Sequence, residues 1–515
     1  MSQRHITLDG EHLSLDDVRA VADGAHVVLS EAARHRMQRA REALLRAVSD
    51  GKAHYGVNTG FGPFARRRIE GEQIEVLQVN LIRSHAVGYG DPIPRPVARA
   101  MLVLRAHSLS HGWSGVGPEL AQALVDLLNH DITPIIPEMG SVGASGDLAP
   151  LAHVGLALLG EGDVFHGDRR IAAAEAMQRN GVEPHRFRMK EGLALINGTQ
   201  YMTAFGVLAV GEAQELLLAA TVAAAMSVEA LLGTPAAFHP ELHRVRRHAG
   251  QQVVAQNLRA LLQNSSIVDS HRECDAVQDA YSLRCTPQIL GACQDALHHV
   301  AAVLQDETNA VTDNPLVFPE TGEVVSGGNF HGEPVALVLD HLGVAICEVA
   351  SVAERRLYNL LYSNDVDALP HCLTGQPGLQ SGLMIVQYLA AALVSENRSL
   401  AHPATLDNVV TGGGVEDHNS MGSIAALRLP RQLRNVRGVV AAELLAASQA
   451  LEFHAPLQPG PATQAALAAV RHHVEPTRAD RSHAEDLQCL SQPSVLCEIV
   501  AAAEAALGSA LRTTL

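Results

Sequence analysis

Apolar residues recur three and four positions apart along much of this chain, the spacing of a helix with one buried face. The pattern predicts helices over Glu31–Val48, Arg95–Leu109, Pro118–Leu128 and Leu148–Leu159. A short β-like opening precedes them, at His5–Leu8 and Val27–Leu29. Farther along the predicted helices lengthen, to Ala204–Leu232, Cys293–Val311, Glu333–Leu361, Ser381–Ala401 and Leu427–Leu451. Several of these are apolar on nearly every face, and such a helix must be enclosed by other helices or by other subunits. A mainly α protein follows, a long-helix bundle with a small mixed N-terminal part, expected to assemble as a homo-oligomer. No repeat or composition break marks a linker, so the division is coarse: an N-terminal domain over 1–200 and a helical domain over 201–515.

Composition narrows the class. Of 515 residues, 47% are apolar but only 3% aromatic, so the core must be built from Ala, Leu and Val, which suits packed helices. The net charge of −17, with no dense basic stretch, argues against nucleic acid or an anionic membrane as partner. The longest apolar run, Leu216–Val228, is too short to span a bilayer, and the N-terminus lacks a signal-peptide core. Seven cysteines, at 274, 285, 293, 347, 372, 489 and 497, form no C-x-x-C pair, which fits a reducing cytoplasm. The chain has 27 histidines, but no H-E-x-x-H and no compact Cys/His cluster, so no metal is expected. His298-His299 and His472-His473 read as exposed helix residues.

Between the helices lie glycine-rich stretches where backbone can approach a ligand closely: Y-G-V-N-T-G-F-G from Tyr55, N-G-T-Q from Asn197, S-G-G-N-F-H-G from Ser326 and T-G-G-G-V-E-D-H from Thr411. The densest group of small residues is G-S-V-G-A-S-G-D-L-A-P, Gly140 to Pro150. With so little bulk, the amide nitrogen of Gly146 can attack the carbonyl carbon of Ala144. Loss of water from the ring and from the Ser145 side chain then leaves an imidazolone bearing an exocyclic methylidene, a carbon electrophile that needs no external cofactor. A plain helix entry is the competing reading, with Asp147 as N-cap and Pro150 in the first turn.

The wider context decides between them. The stretch G-S-V-G-A-S-G-D-L-A-P-L-A-H resembles the signature of the aromatic amino acid ammonia-lyases and aminomutases, most closely the histidine-specific members. So do Y-G-V-N-T-G-F-G, S-H-A-V-G, E-G-L-A-L-I-N-G-T-Q, Q-D-A-Y-S-L-R-C-T-P-Q, D-N-P-L-V-F, G-G-N-F-H and E-D-H-N-S-M, in family order from Tyr55 to Met421. The resemblance implies the fumarase-like helical fold of that family and a homotetramer with active sites shared between subunits. It also implies that Ala144, Ser145 and Gly146 become 4-methylideneimidazole-5-one (MIO), and that the partner is a small amino acid substrate.

It further implies roles. The methylidene carbon from Ser145 captures the substrate amine and makes it a better leaving group. Tyr55 takes the β-proton, for which its site must favour the phenolate. Arg284 clamps the substrate carboxylate with its planar guanidinium. Asn197 bonds both carboxylate and prosthetic group, Tyr281 stands beside the reacting amine, and Phe330 packs near the ring. Gln278, Tyr281 and Arg284 follow one another at helical spacing and are expected to share a face.

For the substrate side chain, His85 occupies the position of a polar selector and favours an imidazole or a phenol over a plain phenyl ring. Glu416 suits an imidazole or an amine, since a carboxylate against an uncharged ring is costly. These favour L-histidine, giving trans-urocanate. Val415, where the family carries an amide side chain, and Gln387-Tyr388 point instead to tyrosine or its catechol analogue, as lyase or as 2,3-aminomutase. A non-catalytic helical scaffold and an elimination enzyme lacking the built-in electrophile are the readings from other classes.

Overall fold

The computed structural model describes residues 5–49, 53–64, 66–69, 71, 73–272, 277–362 and 369–514; Cys274 lies outside them. It is mainly helical, and the chain divides into two compact units. The first comprises Met1–Leu208, Ala301–Asp340 and Pro403–Leu427, the second Ala209–Val300, His341–His402 and Arg428–Leu515.

The first unit holds all the strands among the described residues. His5–Leu8 pairs in parallel with His26–Leu29, His5 opposite His26, which places the expected opening in a two-stranded sheet. Ile132–Pro134, Asp163–His166 and Arg169–Ala172 form a three-stranded antiparallel sheet, and Leu316–Phe318 pairs with Glu323–Val325. The helix Arg95–Ser110 packs against Pro118–Asn129 and is buried from Val97 to its end. Its run L-V-L-R-A-H carries Arg105 and His107 fully inside. The guanidinium of Arg105 is still charged at neutral pH although burial pushes its pKa down to about 10. A second buried cation, Lys190, meets Asp313 at 2.6 Å, both side chains wholly enclosed.

The regular elements of the second unit are all helices among its described residues. Pro461–His473 packs on Pro493–Leu507, and Arg356 holds Glu443 through two hydrogen bonds of 2.5 and 2.8 Å. Glu443 also accepts from the Ser227 hydroxyl at 2.7 Å, so the buried carboxylate is well supplied with donors, while Arg356 Nη1 finds no acceptor among the described residues. His298 and His299 are exposed on a helix, as expected, whereas His473 pairs with Glu498 at 2.9 Å.

Several helices extend past their sequence-derived limits. The helix Gln200–Ala230 starts at Gln200 rather than at Ala204, because the N–H groups of Tyr201 and Met202 find an acceptor outside the local sequence, the carboxylate of Asp147 at 3.0 and 3.1 Å. Asp147 therefore makes no side-chain cap on its own helix, Leu148–Leu158, contrary to the local pattern. Helices also form at Leu15–Ala22, Gln73–His85, Ala249–Leu261, Pro461–His473 and Pro493–Leu507, outside the stretches expected from sequence. Gln200–Ala230 and Glu333–Leu361 are long and apolar enough to cross a membrane by length and composition, although the longest uninterrupted apolar run is short. Their most apolar windows are 72% and 67% buried inside the protein, which identifies them as core helices.

Candidate active site

A cavity of about 640 Å³ in the first unit is lined by Tyr55, His85, Ala144, Ser145, Asn197, Phe330 and Glu416. Residues far apart in sequence, on separate glycine-rich loops, are thus brought to one wall-to-wall space. Gly146, next to Ser145, is not part of the lining.

The loop that carries the triplet is held from two sides. From one side, Met421 N–H donates to Val142 O at 2.9 Å, while the hydroxyls of Ser420 and Ser423 donate to Gly143 O and Ser141 O at 3.0 and 2.8 Å. From the other, Asp147 N–H donates to Gly198 O at 2.7 Å and Asn197 Nδ2 donates to Ser145 O at 2.8 Å. Gly146 sits at φ +72°, in the left-handed region, and a Cβ there would run into the carbonyl of Gly198. Only glycine combines that backbone turn with that approach. The Ser145 hydroxyl donates to Glu416 Oε1 at 3.1 Å, and the other carboxylate oxygen of Glu416 accepts from Thr411 Oγ1 at 2.7 Å.

These contacts test whether the triplet suits ring closure into MIO. A tight bend at an unencumbered Gly146, a fixed Ser145 carbonyl and a serine hydroxyl facing the cavity all fit it. Asp147, next in the chain, is fully enclosed. Burial pushes its carboxyl up to about 7, against the hydrogen bonds from Met202, Ser141 and Tyr201 that stabilise the anion.

His85 ends the helix Gln73–His85, and its Nδ1 lies 2.8 Å from Leu81 O. That contact assigns the ring proton to Nδ1 and leaves Nε2 as an acceptor. Burial lowers the pKa of His85, outweighing the opposing pull of the Leu81 carbonyl and of Glu416. The imidazole is therefore neutral at pH 7. Tyr55 lies in the turn before Asn58 and meets the Phe61 ring edge-on, centroids 6.5 Å apart.

Gln278, Tyr281 and Arg284 belong to the second unit and do not line this cavity. They keep company with each other: Arg284 Nη2 donates to Gln278 Oε1 at 2.7 Å, and the guanidinium carbon lies 4.6 Å from the Tyr281 ring centre. The helix begins only at Tyr281, so Gln278 reaches Arg284 from the irregular segment before it and not along a shared helix face. Tyr281 is 69% exposed. Gln387 also lies in the second unit, where it donates to Glu354 Oε1 at 2.8 Å.

Further polar residues line the cavity without having been singled out by sequence, among them Asn314, His331 and His418. His331 and His418 stack, centroids 6.1 Å apart and planes inclined by 12°, and His331 Nε2 lies 3.0 Å from His418 O. Each occurs inside a glycine-loop or D-N-P block, so the blocks themselves were the signal.

A model of the aromatic amino acid lyase family matches residues 13–472. The histidine ammonia-lyase of Symbiobacterium thermophilum is 50% identical over 500 residues, covering 97% of this chain and 98% of that protein. Among solved structures, histidine ammonia-lyase from Trypanosoma cruzi superposes with a TM-score of 0.89 at 39% identity, covering 98% and 95% of the two chains. Tyrosine aminomutase from Streptomyces globisporus superposes with a TM-score of 0.93 at 36% identity, covering 99% and 100%. The chain therefore belongs to the aromatic amino acid lyase family, as an enzyme of the carbon–nitrogen lyase class.

Proposed function

We propose that this protein eliminates ammonia from L-histidine to give trans-urocanate, using MIO formed from Ala144, Ser145 and Gly146. One observation carries the choice of histidine: a neutral imidazole, His85, and a carboxylate, Glu416, share the cavity with the triplet. His85 Nε2 accepts the N–H of a substrate imidazole, and Glu416 pairs with the imidazole or with the amine. Near-full-length relatives bearing the same activity in their names support the reading.

When formed, MIO supplies the electrophilic carbon to which the substrate amine attaches. The remaining work belongs to side chains. Tyr55 removes the β-proton, Asn197 fixes the Ser145 carbonyl oxygen, and Phe330 closes the space beside it. Arg284 binds the substrate carboxylate, with Tyr281 at the amine and Gln278 orienting the guanidinium. In our reading the enzyme is a cytoplasmic homotetramer, and these three residues of one copy complete the cavity of another. The helix Met384–Leu400 supports assembly, since Ile385 and Tyr388 are 65% and 60% exposed and an apolar face of that kind calls for a cover. Free cysteines among the described residues are compatible with a reducing compartment.

Val415 at the cavity wall favours a second reading, a phenolic substrate handled as lyase or as 2,3-aminomutase. Incubation with histidine, tyrosine, dihydroxyphenylalanine and phenylalanine, followed by ultraviolet absorbance of the conjugated acid and by chromatography for β-amino acids, separates them. Histidine turning over fastest, with no β-amino acid, is the expected result. Tyrosine turning over fastest would overturn it. For His85, KM for histidine should carry a rise below pH 6.5, as Nε2 takes a proton, beyond the rise due to titration of the substrate imidazole itself; His85→Phe should raise KM at every pH and remove that additional rise.

A further inference from the structure

We propose that Arg105 is a positioning residue whose fixed charge, placed behind Asn197 and Gly198, prepares the Ser145 carbonyl oxygen to carry negative charge. The inference rests on the MIO reading above, because that oxygen belongs to the ring once it has closed.

The observations concern an unspent cation. Arg105 is fully buried, and its Nη1 donates to Asn197 O at 3.2 Å and to Gln200 Oε1 at 2.9 Å. Its Nε and Nη2 have no hydrogen-bond partner among the described residues. The one carboxylate that acts on it, Asp313, is committed elsewhere: Oδ2 to Lys190 at 2.6 Å and Oδ1 to the Asn314 N–H at 2.7 Å. Lys190 and Asp313 cancel, so the charge of Arg105 is left over. Burying a guanidinium with two idle donors is costly, and a fold seeking stability alone does better with an aliphatic side chain of similar volume.

The guanidinium sits one peptide layer from the chemistry. It packs so closely on Gly198 that a Cβ there would strike Nη1. Gly198 in turn bridges to Gly146, and Asn197, whose backbone carbonyl Arg105 grips, presents its side-chain amide to Ser145 O. When an amine or another nucleophile adds to the methylidene carbon, the electron pair of that double bond moves into the ring toward this oxygen. A cation already in place stabilises that charge without reorganisation, as preorganised donors do.

Stability and reactivity should therefore move in opposite directions. Arg105→Met should fold with unchanged or raised thermal stability and should lose two waters by intact mass, showing that the ring has closed. It should then add hydride from borohydride about 10- to 100-fold more slowly than wild type, followed as the mass gain of the protein itself, and kcat should fall by a similar factor with KM little changed. Arg105→Lys, which keeps the charge, should recover most of both rates. Hydride addition to Arg105→Met at the wild-type rate, with the ring present, would overturn the inference. Should Arg105→Met fail to fold, Arg105→Lys against Arg105→Gln gives the same comparison, and equal hydride rates in those two would overturn it likewise. A wild-type protein that keeps its full mass would instead refute the MIO reading, so the two failures are distinguishable.

Discussion

Replacing Gly146 by alanine separates what chemistry permits from what this backbone permits. An alanine still has an amide nitrogen able to attack the Ala144 carbonyl, so bond-making alone gives no reason for failure. The geometry does. An L-residue at φ +72° costs about 1–2 kcal/mol. The added Cβ would also stand against the Gly198 carbonyl, which is backbone and cannot rotate away. The two segments must part, and the first bond lost is Asp147 N–H to Gly198 O, 2.7 Å in the intact protein and worth about 1 kcal/mol. Holding the closing geometry thus becomes about 2–3 kcal/mol harder, which slows ring formation about 30- to 150-fold. Freshly folded protein sampled over time by intact mass measures this directly. When wild type is about 99% two waters short, Gly146→Ala should be only about 3–15% converted, its helical circular dichroism unchanged. Conversion at the wild-type rate would refute the claim that this contact sets closure.

Two other expectations concern the buried charges of the first unit. Lys190→Met leaves Asp313 enclosed without its partner and should lower stability by about 3–5 kcal/mol, read as a shift of the urea midpoint; adding Asp313→Leu should restore most of the loss. His107 is buried, bonds Asn309 through Nε2 at 3.1 Å, and has its pKa pushed down to about 4 by burial and by His111. Between pH 6.5 and about 4 the unfolded chain binds this proton and the folded one does not, so stability should fall as pH drops across that window, by about 3 kcal/mol. His107→Gln should flatten that slope in urea titrations at several pH values.

Spacing alone located the helices whose apolar residues stay in step, such as Glu31–Val48 and Glu333–Leu361, to the residue. It passed over Gln73–His85 because I-E-V-L-Q-V-N-L-I alternates apolar and polar positions much as a strand does, and so it left His85, the proposed selector, without its supporting helix. The first turn of Gln200–Ala230 was invisible for a different reason: its cap, Asp147, lies in another segment and no local signal announces it. The cavity residues were legible as members of glycine-rich blocks, since tight backbone there has few other uses. Arg105 and His107 were also within reach, as polar side chains in the apolar run L-V-L-R-A-H, whose enclosure shows up only once the helix is packed. That Gln278 stands outside the helix of Tyr281 and Arg284 was not legible, because spacing does not reveal where a helix begins.

The carboxylate of Asp147 gives the site a history as well as a shape. The residue next to the reactive triplet is engaged by N–H groups of Tyr201 and Met202, and Gly146 is shaped by Gly198, all made more than fifty positions later in synthesis. A nascent chain that stops short of them has every atom the ring requires and none of the surroundings that close it. If the ring closes as proposed, the two missing waters serve as a covalent record that the first turn of the long helix had already formed, written once into each molecule and kept even if that molecule later unfolds.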